Sequence, residues 1–134
     1  MSKKHTKYIN TLAKLASSME KVGAARVYSC VVYKNSIQSF GMNQMKSHPF
    51  QVKFSRNKQS IYLHAETAAI YNALKVMSLS DLQKSTLYVC RVKMIGDKNQ
   101  LGLSKPCEGC ARAIATFGIK NVVYSNELEG YSSL

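Results

Sequence analysis

A His-Ala-Glu triplet, His64-Ala65-Glu66, stands well before a Pro-Cys-Glu-Gly-Cys run, Pro106-Cys107-Glu108-Gly109-Cys110. Together they constrain the fold more than any other feature, because their chemistry requires them to meet. Cys107 and Cys110 are three apart, so on a helix both thiols lie on one face and can grip one ion. Cys107 follows a proline and opens an apolar-periodic run, which predicts that it lies in the first turn of a helix. There the positive end of the helix favours the thiolate that zinc requires. His64 offers a neutral nitrogen as third ligand. Three protein ligands leave a fourth position for water, which is the pattern of catalytic rather than structural zinc sites.

Glu66 is the second half of the signal. In a regular helix a residue two on from His64 points away from its face. If the helix instead opens at His64, its first turn can aim the imidazole at the metal and the carboxylate at the metal's water. Glu66 is then a proton carrier and not a ligand. The competing reading is a structural zinc knot with a fourth ligand from His5, His48, Cys30 or Cys90, and it leaves Glu66 and Pro106 without a role.

With 134 residues, 46% of them hydrophobic, the chain is expected to form one globular domain spanning 1–134. The opening MSKKHTKY has charge but no apolar core of a secretory signal, and no apolar run approaches the length of a membrane span. A cytoplasmic location is therefore expected, with no membrane partner. Cys30 and Cys90 sit inside apolar, β-branched runs and read as small buried core residues. Nineteen Lys plus Arg stand against seven Asp plus Glu, a net charge of +12 that points to a phosphate-bearing partner more readily than to a neutral metabolite.

Residues 6–23 carry Ile9, Leu12, Leu15, Ala16, Met19 and Val22 at helical spacing, with Lys7, Lys14 and Lys21 opposite and Gly23 at the end. Ala25 to Tyr33 is a nearly unbroken apolar run and predicts a central strand; Lys34-Asn35-Ser36 is a turn, and Ile37 to Asn43 returns as a hairpin partner. Gly41 permits tight backbone approach, and Asn43 offers both donor and acceptor to a sugar hydroxyl. Gln44 to Ser60 reads as a polar, basic loop holding Lys46, Lys53, Arg56 and Lys58, with Phe50 and Phe54 interleaved. It runs into His64, so Lys53 and Arg56 are candidates to hold a phosphate at the mouth of the site. A helix follows from Ala65 through Met77, then a strand over Thr86 to Met94. Ile95 to Lys105 reads as a polar connection able to form a flap. Cys107 to Phe117 is the second metal-bearing helix with Gly118 as its cap, and Asn121 to Tyr124 is a short strand before the tail runs out.

H-x-E followed by P-C-x-x-C is the established signature of zinc-dependent nucleobase deaminases, matched here as a known pattern. With His64-Ala65-Glu66, Pro106 to Ala111, Gly41-Met42-Asn43, and Gly118-Ile119-Lys120 leading into Val122-Val123-Tyr124, the chain resembles the cytidine deaminase superfamily along almost all of its length. Within it, the deoxycytidylate deaminase branch is the most similar. The resemblance implies a three-layer α/β/α fold with a mixed central sheet of four or five strands. It implies Zn2+ on His64, Cys107 and Cys110, Glu66 as proton shuttle, Asn43 on the sugar and the Ala65 backbone on the base. The expected activity is hydrolytic deamination of a cytosine nucleotide, dCMP-like, by a homo-oligomer; the alternative is deamination of cytosine or adenine bases within single-stranded DNA or RNA. A third possibility, a zinc-stabilised nucleic-acid-binding module without activity, leaves Glu66 unexplained. The sequence departs from that branch in three ways: no Cys and only His48 in the segment directly before the triplet, a longer flap before Pro106, and a final helix and strand missing or reduced to about ten residues.

Overall fold

The computed structural model of the chain describes residues 3–18, 26–44, 48–54, 63–95, 98–126 and 131–133. In order the elements are α1 (Lys3–Ser18), β1 (Arg26–Tyr33), β2 (Ser36–Met42), α2 (Pro49–Phe54), α3 (Ala65–Ala73), α4 (Leu79–Gln83), β3 (Thr86–Ile95), β4 (Lys98–Gly102), α5 (Glu108–Phe117), β5 (Asn121–Ser125) and β6 (Tyr131–Ser133). The strands form one mixed sheet in the order β2-β1-β3-β5-β6, antiparallel except for the β3–β5 pair, with β4 also paired to β3. Arg91 pairs with Val27 on one edge of β3 and with Gly102 on the other, so β4 extends the β5 edge.

Alternation along the strands sorts side chains onto two faces. Tyr28, Cys30, Val32, Tyr88, Cys90, Val92 and Val123 pack with Tyr8, Ile9, Leu12 and Ala16 of α1. Val31, Leu87, Val89, Val122 and Tyr124 pack instead with Ala69, Ile70 and Ala73 of α3 and Ile114 of α5. Three layers result, with α1 on one side and the two metal-bearing helices on the other. The expected single stripe of the first helix is present at Ile9, Leu12 and Ala16; Met19 to Gly23 lie outside the described residues. Cys30 and Cys90 are buried free thiols, as their apolar surroundings suggested. No described helix is long and apolar enough to cross a membrane.

Four local expectations need correction. The segment Gln44–Ser60 is not wholly a loop: Pro49, suited to a first helical position, opens α2, and Phe50 and Phe54 share its inner face. Both rings also meet Phe117 of α5. The helix from Ala65 ends at Ala73 rather than Met77, and Ser78 then caps the separate α4 by accepting from the Asp81 N–H at 3.1 Å. The polar connection after Ile95 is a strand, β4, returning along β3 as a hairpin. The tail yields one more strand, β6, so the sheet has six strands where the sequence suggested four or five. Lys34 and Asn35 both adopt positive φ, as a two-residue hairpin turn requires, and Gly118 caps α5 with φ 72.

Candidate metal centre and its cavity

Two helix starts make the centre. His64 is the N-cap of α3 and Cys107 the N-cap of α5, each with extended backbone. Their carbonyls accept the first intrahelical bonds, from the Ala68 N–H at 3.0 Å and the Ala111 N–H at 2.8 Å. Neither side chain caps its own helix. Imidazole and thiol are therefore free to turn toward each other. His64 Nδ1 lies 3.4 Å from Cys107 Sγ and 3.3 Å from Cys110 Sγ, and the three donors fall within 4.8 Å of one another. A tetrahedral zinc, with bonds of about 2.3 Å to sulfur and about 2.0 Å to nitrogen, separates its ligand atoms by about 3.6 Å. The set fits that ion, with two soft thiolates and one imidazole as the donors zinc prefers.

The other histidines and cysteines are engaged elsewhere. His5 Nδ1 meets the Tyr88 hydroxyl at 2.7 Å, and His48 Nδ1 accepts the Phe50 N–H at 3.1 Å. Burial pushes the Cys30 and Cys90 thiols up to about 12 and about 11. Among the described residues no fourth protein donor joins the cluster.

Protons in the metal-free centre are unevenly shared. A hydrogen bond from Cys110, helped by His64, lowers Cys107 to about 3. The same bond, with burial, keeps Cys110 protonated well above the usual thiol range, while bonding to Cys107 raises His64. Zinc requires both thiols as thiolates, so its binding would displace the proton that Cys110 holds. Glu66, 6% exposed, has its carboxyl raised chiefly by burial, and it hydrogen-bonds Cys110. It stands beside the three donors without belonging to them.

The N-terminus of α3 is fastened from several sides. Gln51 of α2, fully buried, accepts the His64 N–H on Oε1 at 3.2 Å and also the Thr67 hydroxyl. Ser29 of β1 donates to the Ala65 carbonyl at 2.5 Å, and Ser39 of β2 to that of Ala69 at 2.8 Å. A Cβ at Gly41 would collide with the Ala65 oxygen and the Ala69 nitrogen, so only glycine lets α3 lie this close to β2. The tight approach expected at Gly41 is this contact.

A cavity of about 310 Å³ opens over the centre, lined by His64, Ala65, Glu66 and Cys107, with Asn43 at its rim. Asn43 Oδ1 accepts the Val27 N–H at 3.0 Å, which locks the side chain to the end of β1. A second cavity of similar volume, beside Phe40 and Tyr71, contains none of the metal donors and lies away from the chemistry. Lys53 is exposed on α2 with its ammonium 5.8 Å from the Phe54 ring centroid, and it does not line the metal cavity. Arg56, Lys46 and Lys58 lie outside the described residues. The cations that do line the cavity are Arg91 and Lys105, which sequence reasoning passed over. Arg91 could have been noticed as the lone charge within the apolar run LYVCRV, and Lys105 as the neighbour of Pro106.

The sequence matches the family model of the cytidine and deoxycytidylate deaminase zinc-binding region over residues 2–126. No curated protein matches it. Among solved structures, the apo dCMP deaminase of cyanophage S-TIM5 aligns with a TM-score of 0.63 and 26% identity, over 94% of this chain and 86% of that one. The same phage enzyme in complex with dCMP and dUMP aligns at TM-score 0.55 and 20% identity, over 92% and 82% of the two chains. A diaminohydroxyphosphoribosylaminopyrimidine deaminase/5-amino-6-(5-phosphoribosylamino)uracil reductase from Thermotoga maritima aligns at 0.58 and 22%, over 90% of this chain and 29% of its own.

Proposed function

This chain belongs to the cytidine and deoxycytidylate deaminase zinc-binding family, and on that footing we propose that it deaminates a free cytosine nucleotide of the dCMP type. It is a zinc-dependent deaminase. The observation that carries the substrate reading is the small cavity over the centre, about 310 Å³, in which a buried carboxyl, two of the metal donors and two cations share the walls. Its volume lies at the lower end of ordinary ligand sites and suits one nucleotide better than a strand. The 26% identity to a phage dCMP deaminase points the same way.

The reaction exchanges an exocyclic amine for oxygen: a C–O bond forms, a C–N bond breaks, and ammonia leaves. Zinc, when bound by His64, Cys107 and Cys110, supplies a water whose pKa is lowered to roughly 7. Glu66 manages the protons. Its buried carboxyl, raised by desolvation, would take the water's two protons in turn and pass one to the ring nitrogen and one to the departing amine. The first residue of α3, Ala65, offers its backbone to the base, since a helix's opening N–H groups lack intrahelical partners. Asn43, fixed at the cavity rim by Val27, meets the sugar. Lys53 and Arg56, on the basic segment preceding His64, attract the anionic substrate toward the mouth.

A second reading, deamination of bases in single-stranded nucleic acid, is favoured by the net charge of +12. Purified zinc-loaded protein should be screened by mass spectrometry against nucleosides, mononucleotides and single-stranded oligonucleotides. Turnover of dCMP well above that of any oligonucleotide is expected. Oligonucleotide turnover far above dCMP, weakening steeply with salt as released counterions would demand, would replace the first reading with the second.

A further inference from the structure

We propose that Arg91, with Lys105 on the same cavity wall, grips the phosphate monoester of the substrate and so selects nucleotides over nucleosides. This rests on the nucleotide reading above and names the residues that enforce it.

The placement follows from strand alternation. Leu87 and Val89 of β3 face α3 and α5, so Arg91, two further along, continues that row on the side of the metal. Beyond Val89 the helices no longer cover the row, and Arg91 meets the cavity instead. A charged residue on this face of a central strand needs a partner, because a buried donor without one loses its hydration for nothing. Arg91 has none at one position: its Nε–H is buried and donates to no acceptor among the described residues. Among the described residues Glu66 is the only acid lining the cavity, and its carboxyl hydrogen-bonds Cys110.

The opposite strand clears the way for this side chain. Arg91 pairs with Gly102 of β4, where a Cβ would stand 3.1 Å from the Lys93 side chain and 3.3 Å from Arg91 Cδ. Any side chain there would press on the arginine's stem. β4 therefore serves as a wall that leaves the guanidinium room rather than as a loose flap.

A guanidinium and an ammonium on one cavity wall match a phosphate monoester in both geometry and charge. The planar fork binds two oxygens at once, while Lys105, exposed at its base, adds a point charge that can follow the third. A zinc held by two thiolates and a neutral imidazole carries no net charge. The two cations are therefore left to balance the substrate's dianion. A carbohydrate or base edge would leave them uncompensated.

The test uses the full zinc-loaded chain and measures binding directly, by calorimetry with the product-like ligands dUMP and deoxyuridine. Wild type should bind dUMP at least about tenfold more tightly, the scale of charge-assisted hydrogen bonds. Arg91→Ala should bring the two ligands within about threefold while deoxyuridine affinity is kept, and Lys105→Ala should take away a smaller part of the preference. If Arg91→Ala also weakens deoxyuridine, the near-isosteric Arg91→Gln decides. Loss of the dUMP preference in Arg91→Gln supports the assignment; its survival overturns it. Wild type that prefers dUMP, with the preference intact in Arg91→Gln, overturns Arg91 alone and leaves the nucleotide reading standing. Wild type with no preference for dUMP, turning over only oligonucleotides, overturns both.

Discussion

Replacing Gly41 by alanine asks whether the metal centre depends on how closely α3 lies against β2. The added Cβ would stand 2.8 Å from the Ala68 Cβ and inside 3.0 Å of the Ala65 carbonyl oxygen and the Ala69 amide nitrogen. Comfortable contact between carbons is about 3.5–4.0 Å, so α3 must rise off the sheet by about 1 Å. Two of the three obstacles are backbone atoms and the third is itself a Cβ, so no rotamer change relieves the clash. Crowding of this kind costs about 1–3 kcal/mol. For a chain of this length each kcal/mol lowers the melting temperature by about 3–6 °C, which puts Gly41→Ala about 5–15 °C below wild type. The displaced segment is the one that carries His64, Ala65 and Glu66. A shift of about 1 Å in reacting groups costs about 100-fold in rate. Calorimetric melting of the zinc-loaded protein, metal content, and kcat/KM on dCMP measure all three consequences. A variant that melts with the wild type and keeps its kcat/KM would refute the reasoning, because α3 would have taken the methyl without moving its ligands. Lower stability with full activity would refute the catalytic half and leave the packing half intact.

Three further outcomes are expected. Glu66→Gln should fold and retain zinc yet deaminate at least ~100-fold more slowly; loss of zinc in this variant, seen by metal analysis, would make Glu66 a ligand. Cys107→Ala should lose metal and thermal stability together, since ligand binding and folding are coupled; a variant that still carried one zinc per chain would contradict the donor set. In the metal-stripped native protein at pH 7, iodoacetamide should label Cys107 before Cys30 or Cys90, whose thiols burial pushes up to about 12 and about 11. Because Cys107 is lowered to about 3, its labelling should stay flat as pH falls from 9 to 6, where an ordinary thiol slows tenfold per unit; a steep decline over that range would show that the free centre does not hold a thiolate.

The sequence made the metal donors legible because their chemistry restricts the residue types so tightly. His, Cys and Cys at helix starts, with a nearby Glu, have few other uses. The local reading was less accurate about which backbone position each donor takes. Cys107 was expected inside the first turn, yet it sits one residue before it, as His64 does. An N-cap has extended backbone, and that geometry, invisible in spacing alone, is what turns both side chains inward. β4 and β6 were missed for a different reason. KNQLG and YSS are short and carry little apolar alternation, and each is held in the sheet by backbone pairing, to β3 and to β5. α2 was hidden by its lysine and its neighbours' charge, although Pro49 and the Phe50–Phe54 spacing were in plain view.

The charge of the chain shows most clearly how a global property can mislead about a site. A net +12 over 134 residues suggests a polymer of phosphates, and it led attention to the densest basic segment, around Lys53 and Arg56. At physiological ionic strength, however, exposed charges fade beyond about 8 Å, so a cation acts on a phosphate seated over the metal only from close by. What counts there is the wall of the cavity. On that wall stand Arg91, half-buried in the sheet with an unmet donor, and Lys105, one residue from the proline that opens the metal helix. A partly desolvated charge such as that of Arg91 acts more strongly than a solvated one. A strand could exploit the diffuse surface charge, but the built-in demand for an anion lies inside a space sized for a single nucleotide. Among the described residues, Arg91 and Lys105 are the cations that line that space.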